Sequence, residues 1–448
     1  MPRGAAGREA RPVEWWLTLL LFVSGLLVFF FLRVPVAFGL LATNLIAAVW
    51  MFGFGPGSEL LIGATESSLT TFVLTPIPLF ILMGELLYQS GVVNRVVVAF
   101  DRAFQRVPGR LPLLTIGTGT VFGVLSGSTS ASTALLGRTM LPDMVAAGYP
   151  RQVALGSVLG SGGLAMILPP SALAIIWGAT AGVSISALFM AGIVPGLLMA
   201  AGYVAITVVR GLRAARDDRG AATGDTGRAL LRLVRELVPV VGLLGLVLGG
   251  IFGGWFTPTE SGAIGVVGAA LLAVTMGRIE PGFWRRSGNG AAKITVMAFF
   301  IVAGSSFFSN LVSFSGAAGG LVSAMTDGVS NQWVALLLMM GAMLILGTFF
   351  EAISMMLVTI PLFMPIVAAM GWDPVWFSIL GLINLQIATT TPPFGMSLFV
   401  LKGVVGNGFR MTELYRAALP FVASDLLVMS MLAAFPFLVT ALPSVMAS

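Results

Sequence analysis

Long apolar runs separated by short loops constrain this chain more than any other feature. Residues 15–32 carry no charge, and comparable runs recur to the end of the sequence. A helix needs roughly 20 residues to cross a bilayer, so 448 residues hold about ten crossings and little else. The chain is 57% hydrophobic and 9% charged, whereas soluble domains average about 25% charged residues. The apolar stretches are continuous rather than alternating, which argues against a transmembrane β-barrel. The sequence predicts an all-α polytopic membrane protein.

Two absences narrow the chemistry. The chain has no Cys, so it has no disulfide, thiolate nucleophile, iron–sulfur cluster or thiolate zinc site. It has no His either, which removes the usual metal ligand and neutral-pH acid or base. An enzyme acting within the membrane on lipid or a peptide bond fits poorly, because no clustered carboxylate pair replaces them. No Walker-type Gly/Lys motif appears, so energy is expected from an ion gradient or a partner. No organic cofactor is expected. The net charge of +6 is read as membrane topology, not as a nucleic-acid interface.

The polar stretch 1–14 reads as an N-terminal tail and the run after it as a retained helix, not a cleaved signal. The segment 210–236, rich in Arg with a Gly/Thr centre, reads as a basic cytoplasmic linker. It divides the chain into repeats at 15–209 and 237–442, with a short tail at 443–448. Sliding the sequence against itself by 223 positions aligns Pro35 with Pro258, Gly39 with Gly262, and Pro142 with Pro365. Gly148-Tyr149 then falls on Gly371-Trp372, and Pro169-Pro170 on Pro392-Pro393. One ungapped offset over that length predicts an internal repeat.

Loop charge predicts that the two copies are inverted. Segment 94–110 holds Arg95, Arg102, Arg106 and Arg110, while its partner 317–333 has no Lys or Arg. The bias reverses for 278–293, which holds Arg278, Arg285, Arg286 and Lys293 against the acidic Glu59 and Glu66 of 55–70. In each pair one copy is basic and the other is not, as inversion across a membrane requires. Each half reads as five crossings plus a re-entrant hairpin. The crossings are expected at 17–32, 34–52, 76–91, a broken 152–181 and 193–209. Their counterparts are 237–255, 259–276, 294–312, a broken 375–402 and 417–440, with hairpins at 111–146 and 333–369. Amphipathic stretches at 55–70, 94–107 and 278–293 are expected to lie along the interface. With the linker in the cytoplasm, all Lys and Arg except Arg3, Arg8 and Arg11 fall on that side.

Sites in inverted-repeat carriers lie where helices are interrupted near the midplane. Four interruptions qualify. The first is a hydroxyl-rich hairpin tip containing Ser126, Gly127, Ser128, Thr129 and Ser130. Gly permits the turn, while hydroxyls and freed carbonyls suit Na+; helix–helix packing by Ser and Thr is the alternative. The second combines Gly162-Gly163 with Pro169-Pro170, where tandem proline leaves carbonyls without donors. The repeat supplies a second tip near Gly347, Thr348 and Glu351, and a second break at Thr389-Thr390-Thr391-Pro392-Pro393. Ser128 and Thr390 are the leading Na+ ligands. Glu351 sits opposite Ser128 in the repeat and suits a cation or a proton. Glu260 follows Thr257-Pro258-Thr259 and reads equally as a helix cap. Glu85 and Asp425 are expected to be structural.

Several stretches, in order, also resemble a known family. They are Thr75-Pro76-Ile77-Pro78-Leu79-Phe80 with Gly84-Glu85, the 126–132 run, Gly148-Tyr149 and Pro169-Pro170-Ser171. Ala191-Gly192-Ile193-Val194-Pro195-Gly196 and Phe256-Thr257-Pro258-Thr259-Glu260 complete the set. The chain resembles the large permease subunit of tripartite ATP-independent periplasmic (TRAP) transporters, the DctM family. The resemblance implies an elevator-type fold, with a scaffold and a mobile transport domain, in a bacterial inner membrane. It implies Na+-coupled uptake of a small organic acid. It also implies two partners, a small four-helix membrane subunit and a periplasmic substrate-binding protein. The second tip, Phe349-Phe350-Glu351, departs from Ser126-Gly127-Ser128, so equal ion sites in the two halves are not implied. A self-sufficient ion-coupled carrier of the same architecture, without a binding protein, is the alternative reading.

Overall fold

The computed structural model describes residues 15–32, 34–103, 109–126, 129–211, 226–329 and 331–447, and these are helical with no strand among them. The first half contains α1 (Trp15–Phe31), α2 (Val36–Phe52), α3 (Phe54–Leu69), α4 (Pro76–Gln89) and α5 (Val92–Ala103). It continues with α6 (Arg110–Ser126), α7 (Thr129–Ala146), α8 (Arg151–Gly163), α9 (Ala172–Ala181) and α10 (Ile185–Gly211). The second half contains α11 (Thr226–Phe252), α12 (Pro258–Met276), α13 (Phe283–Phe314), α14 (Ala317–Gly328) and α15 (Gln332–Phe349). Then come α16 (Ala352–Ala369), α17 (Pro374–Thr390), α18 (Met396–Val405), α19 (Met411–Ala434) and α20 (Phe437–Ala447). Among the described residues, 8 helices are long and apolar enough to span a membrane. The chain is a multi-pass membrane protein.

The offset of 223 that aligns the prolines also aligns the helices. Shifted by it, α7 falls on α16 residue for residue, and α2, α6 and α8 fall on α12, α15 and α17 to within a few residues. The peptide bonds Pro169–Pro170 and Pro392–Pro393 are both cis.

Three boundaries differ from the sequence reading. The stretch 278–293 does not form a separate interfacial segment; from Phe283 it belongs to the continuous helix α13. Its first-half counterpart is split into α3 and α4, with a 3-10 turn at Phe72–Leu74 between them. Pro76 and Pro78 explain the split, because proline lacks a donor and clashes with the preceding turn. Phe299 and Ile301 stand at the equivalent positions and let α13 run through. In the basic linker, α11 already begins at Thr226, so Arg228, Arg232 and Arg235 lie on a helix. At the end, α19 stops at Ala434 and a separate α20 extends over residues 443–447.

Burial distinguishes inner from outer helices. Residues 153–171, from α8 through the first interruption, and 376–390 of α17 are buried at every position. By contrast α1, α2 and α12 turn Leu20, Ile46, Val267 and Leu271 outward, as lipid-facing helices do. The hairpin arms pack crosswise, α7 on α18 and α16 on α9, so each hairpin meets the interrupted crossing of the other half. The approach of α8 to α19 needs small residues: a Cβ on Gly156 or Gly160 would lie 2.3 or 2.6 Å from the Phe421 ring. These contacts bring both hairpins and both breaks into one body.

Candidate functional site

Both interruptions arise where a helix runs out of donors. After α8 the backbone makes a 3-10 turn at Leu164–Met166, then bends through Leu168, Pro169 and Pro170 to an extended Ser171. Ser171 joins the two sides of this break. Its hydroxyl donates to the Met166 carbonyl (2.7 Å) and accepts from the Ala174 amide at the start of α9 (3.2 Å).

The second break is built differently. Phe394 occupies the position equivalent to Ser171, so no hydroxyl bridges it. Three threonines line the end of α17 instead. Thr389 and Thr390 donate to the Gln386 carbonyl (2.9 and 3.0 Å), and Thr391 donates to the Ile387 carbonyl (2.6 Å). Each hydroxyl proton is thereby committed to the helix, which leaves the oxygen lone pairs free to meet a cation. The Pro393 carbonyl accepts a hydrogen bond from Tyr415 on α19 (2.9 Å). Pro169 and Pro170 are buried, whereas Pro393 is exposed.

A cavity of about 180 Å³ lies between the breaks and the hairpin tips. Thr129 and Ser130 of α7 line it, as do Glu351, Ala352 and Ile353 at the start of α16. Ala172 and Leu173 of α9 and Met396 and Ser397 of α18 complete a ring of helix N-termini. Ala352, Ile353 and Met396 are the repeat equivalents of Thr129, Ser130 and Leu173, so the lining approximates a two-fold arrangement. Four helices thus point positive dipole ends at one small space, which favours an anionic group. Met166 and Thr389, beside the C-terminal ends of α8 and α17, line the same space. There the free groups are carbonyl and hydroxyl oxygens, the donors a hard cation needs.

The interior beside the cavity holds polar atoms without partners. Thr133 Oγ1 and Gln386 Nε2 are buried and make no hydrogen bond. A Cβ on Gly162 would sit 2.5 Å from Thr133 Oγ1, and one on Gly163 within 1.9 Å of the Gln386 amide nitrogen. The two glycines therefore exist to admit these side chains. An orphaned buried hydroxyl beside freed carbonyls suits an oxygen-coordinated cation such as Na+.

The structure gathers Thr129, Ser130, Glu351 and Thr389 from the sequence-predicted set onto one cavity. Gly162, Gly163, Pro169, Pro170 and Thr390 form the buried framework of the breaks, with the half-buried Thr391 and Pro392 and the exposed Pro393 beside them. Gly347 and Thr348 lie within α15, not at the tip, and the Thr348 hydroxyl donates to the Ile345 carbonyl (2.7 Å). Ser126 ends α6; its side chain, together with Gly127 and Ser128, lies outside the described residues. Glu260 is a cap: it accepts from the Thr257 amide (2.8 Å) and donates its own amide to Thr257 Oγ1 (3.3 Å). Glu85 accepts from Gln89 (3.3 Å) in the space Gly290 leaves open. Sequence reasoning missed Gln386 and Thr133, and also Ile81, Ile294 and Met297, which close the cavity from α4 and α13. Leu173 and its repeat equivalent Met396, which line the cavity from α9 and α18, were missed as well.

The description "Tripartite ATP-independent periplasmic transporter, DctM component" matches residues 23–438. The chain belongs to the DctM family. Among DctM relatives, the C4-dicarboxylate TRAP transporter large permease protein of Pseudomonas aeruginosa is 31% identical, covering 83% of this chain and 86% of the relative. The 2,3-diketo-L-gulonate TRAP transporter large permease protein of Escherichia coli is 30% identical, covering 94% of this chain and 97% of its own. An isethionate TRAP transporter permease protein DctMQ of Oleidesulfovibrio alaskensis is 32% identical, and 64% of its length is covered. The DctM chain also shares its fold with the Alcanivorax borkumensis YdaH transporter, at a TM-score of 0.64 and 16% identity over 94% of this chain.

Proposed function

We propose that this DctM permease is the transmembrane part of a Na+-coupled, binding-protein-dependent importer of a small organic acid. The observation that carries the reading is the cavity where four helix N-termini meet the oxygen-rich ends of two broken helices. The N-termini suit a carboxylate, and the broken-helix oxygens suit Na+. A bound cation then offsets the substrate's charge, so each favours the other in the same space. That reciprocity is the source of coupling.

The body made of the hairpins and the broken crossings, α6 to α9 and α15 to α18, moves as an elevator past a scaffold of α1 to α4 and α11 to α13. The continuous α13 and the α3–α4 pair brace that scaffold. Specificity is shared with a periplasmic binding protein, and a small membrane subunit completes the scaffold in the bacterial inner membrane. The names of the relatives, which include C4-dicarboxylate and 2,3-diketo-L-gulonate transporters, support an organic acid.

Purification of the tagged chain from native membranes in mild detergent, followed by mass spectrometry, tests the assembly. Recovery of a small apolar subunit is the expected result. A chain that purifies alone and still drives Na+-dependent uptake after reconstitution would replace this reading with a self-sufficient carrier.

A further inference from the structure

Away from the transport cavity, a second and larger cavity of about 920 Å³ opens where α4, α5, α11, α12 and the start of α13 meet. Its walls carry five arginines, Arg95, Arg102, Arg232, Arg278 and Arg286, against two glutamates, Glu236 and Glu280. Both carboxylates are engaged, Glu236 with Arg95 (3.2 Å) and Glu280 with Arg286 (3.1 Å). Main-chain contacts fix the same frame. The Arg95 guanidinium also donates to the Met276 carbonyl, and the Arg278 amide donates to the Ser90 carbonyl (2.9 Å). Among the described residues, no carboxylate pairs with Arg102, Arg232 or Arg278. Three guanidiniums from three different segments are therefore left facing one opening.

Excess positive charge in a fixed concavity selects an anion with several oxygens, which guanidinium groups meet in bidentate fashion. The surroundings distinguish its source. Val98 lines the cavity and is exposed, and Leu231, Ile279 and Trp284, which adjoin Arg232, Arg278 and Arg285 in the chain, are exposed as well, Trp284 at 53%. An indole and aliphatic side chains next to a basic cluster are what the headgroup level of a bilayer favours. Basic pockets between transmembrane helices on the cytoplasmic side are suited to anionic lipid headgroups. We propose that this arginine-lined cavity binds the phosphate of an anionic phospholipid, whose acyl chains lie against the exposed apolar residues. The lipid would hold α5 against α11, elements contributed by different halves of the chain, and so brace the scaffold.

The test uses the full chain, delipidated in a neutral detergent, with native mass spectrometry and thermal unfolding as readouts. The probes are cardiolipin, phosphatidylcholine of matched acyl chains, and inorganic phosphate. The combined variant R102Q/R232Q/R278Q alters exposed side chains, and its folding is checked by circular dichroism. R138Q/R416Q serves as a charge-loss control elsewhere. The expected result is that cardiolipin binds and raises the unfolding temperature, phosphatidylcholine does so far less, and the triple variant binds at least about tenfold more weakly. Binding of inorganic phosphate with equal stabilisation would overturn the lipid as the source. Equal binding of cardiolipin to the triple variant and the control would overturn the site. Unchanged lipid binding in a triple variant that loses a copurifying membrane subunit would make the surface a protein interface and overturn the proposal.

Discussion

The phenol of Tyr203 on α10 donates a 2.6 Å hydrogen bond to Oδ1 of Asp425 on α19, joining the last long helices of the two halves within the buried core. Both residues are almost fully buried, Tyr203 at 0% and Asp425 at 1%. A carboxyl group inside a membrane protein is costly unless it is held by a partner. Here the partner comes from the opposite repeat, so the bond acts as a clasp between them.

Breaking that clasp on one side should destabilise more than removing it altogether. Tyr203→Phe leaves a buried carboxyl without its donor, at an expected cost of about 1–3 kcal/mol. The double variant Tyr203→Phe with Asp425→Leu should recover part of the loss, because no orphaned polar group remains. Thermal unfolding of the four members of the cycle in detergent measures this. Additive losses would show that the hydrogen bond is not the coupling between the helices.

Gly163→Ala should be far more damaging than its size suggests. The new methyl would overlap the Gln386 amide, at separations of 1.7 to 1.9 Å. Overpacking of this kind costs about 1–3 kcal/mol. Pairing it with Gln386→Ala should restore stability in the same unfolding assay, without necessarily restoring transport. Failure of the double variant to recover would mean that the backbone conformation at 163, not the space, is what glycine serves.

Ser171→Ala removes both the cap on α9 and the bridge to Met166. The expected loss is about 1 kcal/mol, visible as a lower unfolding temperature. At Phe394, the equivalent position, Phe394→Ala removes no cap; its main loss is the ring packing with Phe349 at 5.5 Å. A pair of variants with indistinguishable behaviour would argue against the different construction of the two breaks.

Thr389→Val and Thr390→Val keep shape and remove an oxygen. Both should raise the Na+ concentration needed for half-maximal uptake by about tenfold while leaving the unfolding temperature nearly unchanged, as loss of one hydroxyl contact implies. Titrating uptake against Na+ in proteoliposomes checks this. Unaltered Na+ dependence in both would remove α17 from the ion site.

Much of this architecture was legible because proline and glycine punctuate an otherwise apolar chain. Pro169-Pro170 and Pro392-Pro393 marked the interruptions, and a single offset carried α7 onto α16. What escaped depended on pairs distant in sequence. Nothing local distinguishes Gln386 from any other polar residue on an apolar helix; its role follows from the gap that Gly163 leaves in α8. Ile81, Ile294 and Met297 reach the cavity from helices outside the interrupted crossings, where an apolar side chain signals only membrane. The fusion of 283–293 into α13 was missed because the charge pattern suggested an interfacial segment. The decisive signal was the absence of prolines at Phe299 and Ile301.

The most direct test of the account is uptake of a labelled organic acid into proteoliposomes. They contain this chain with its small membrane subunit, with the loaded periplasmic binding protein supplied outside. An inward Na+ gradient should drive accumulation, and replacing Na+ with K+ should abolish it. Equal accumulation in K+, or accumulation that ignores the direction of the Na+ gradient, would contradict Na+ coupling at the paired breaks.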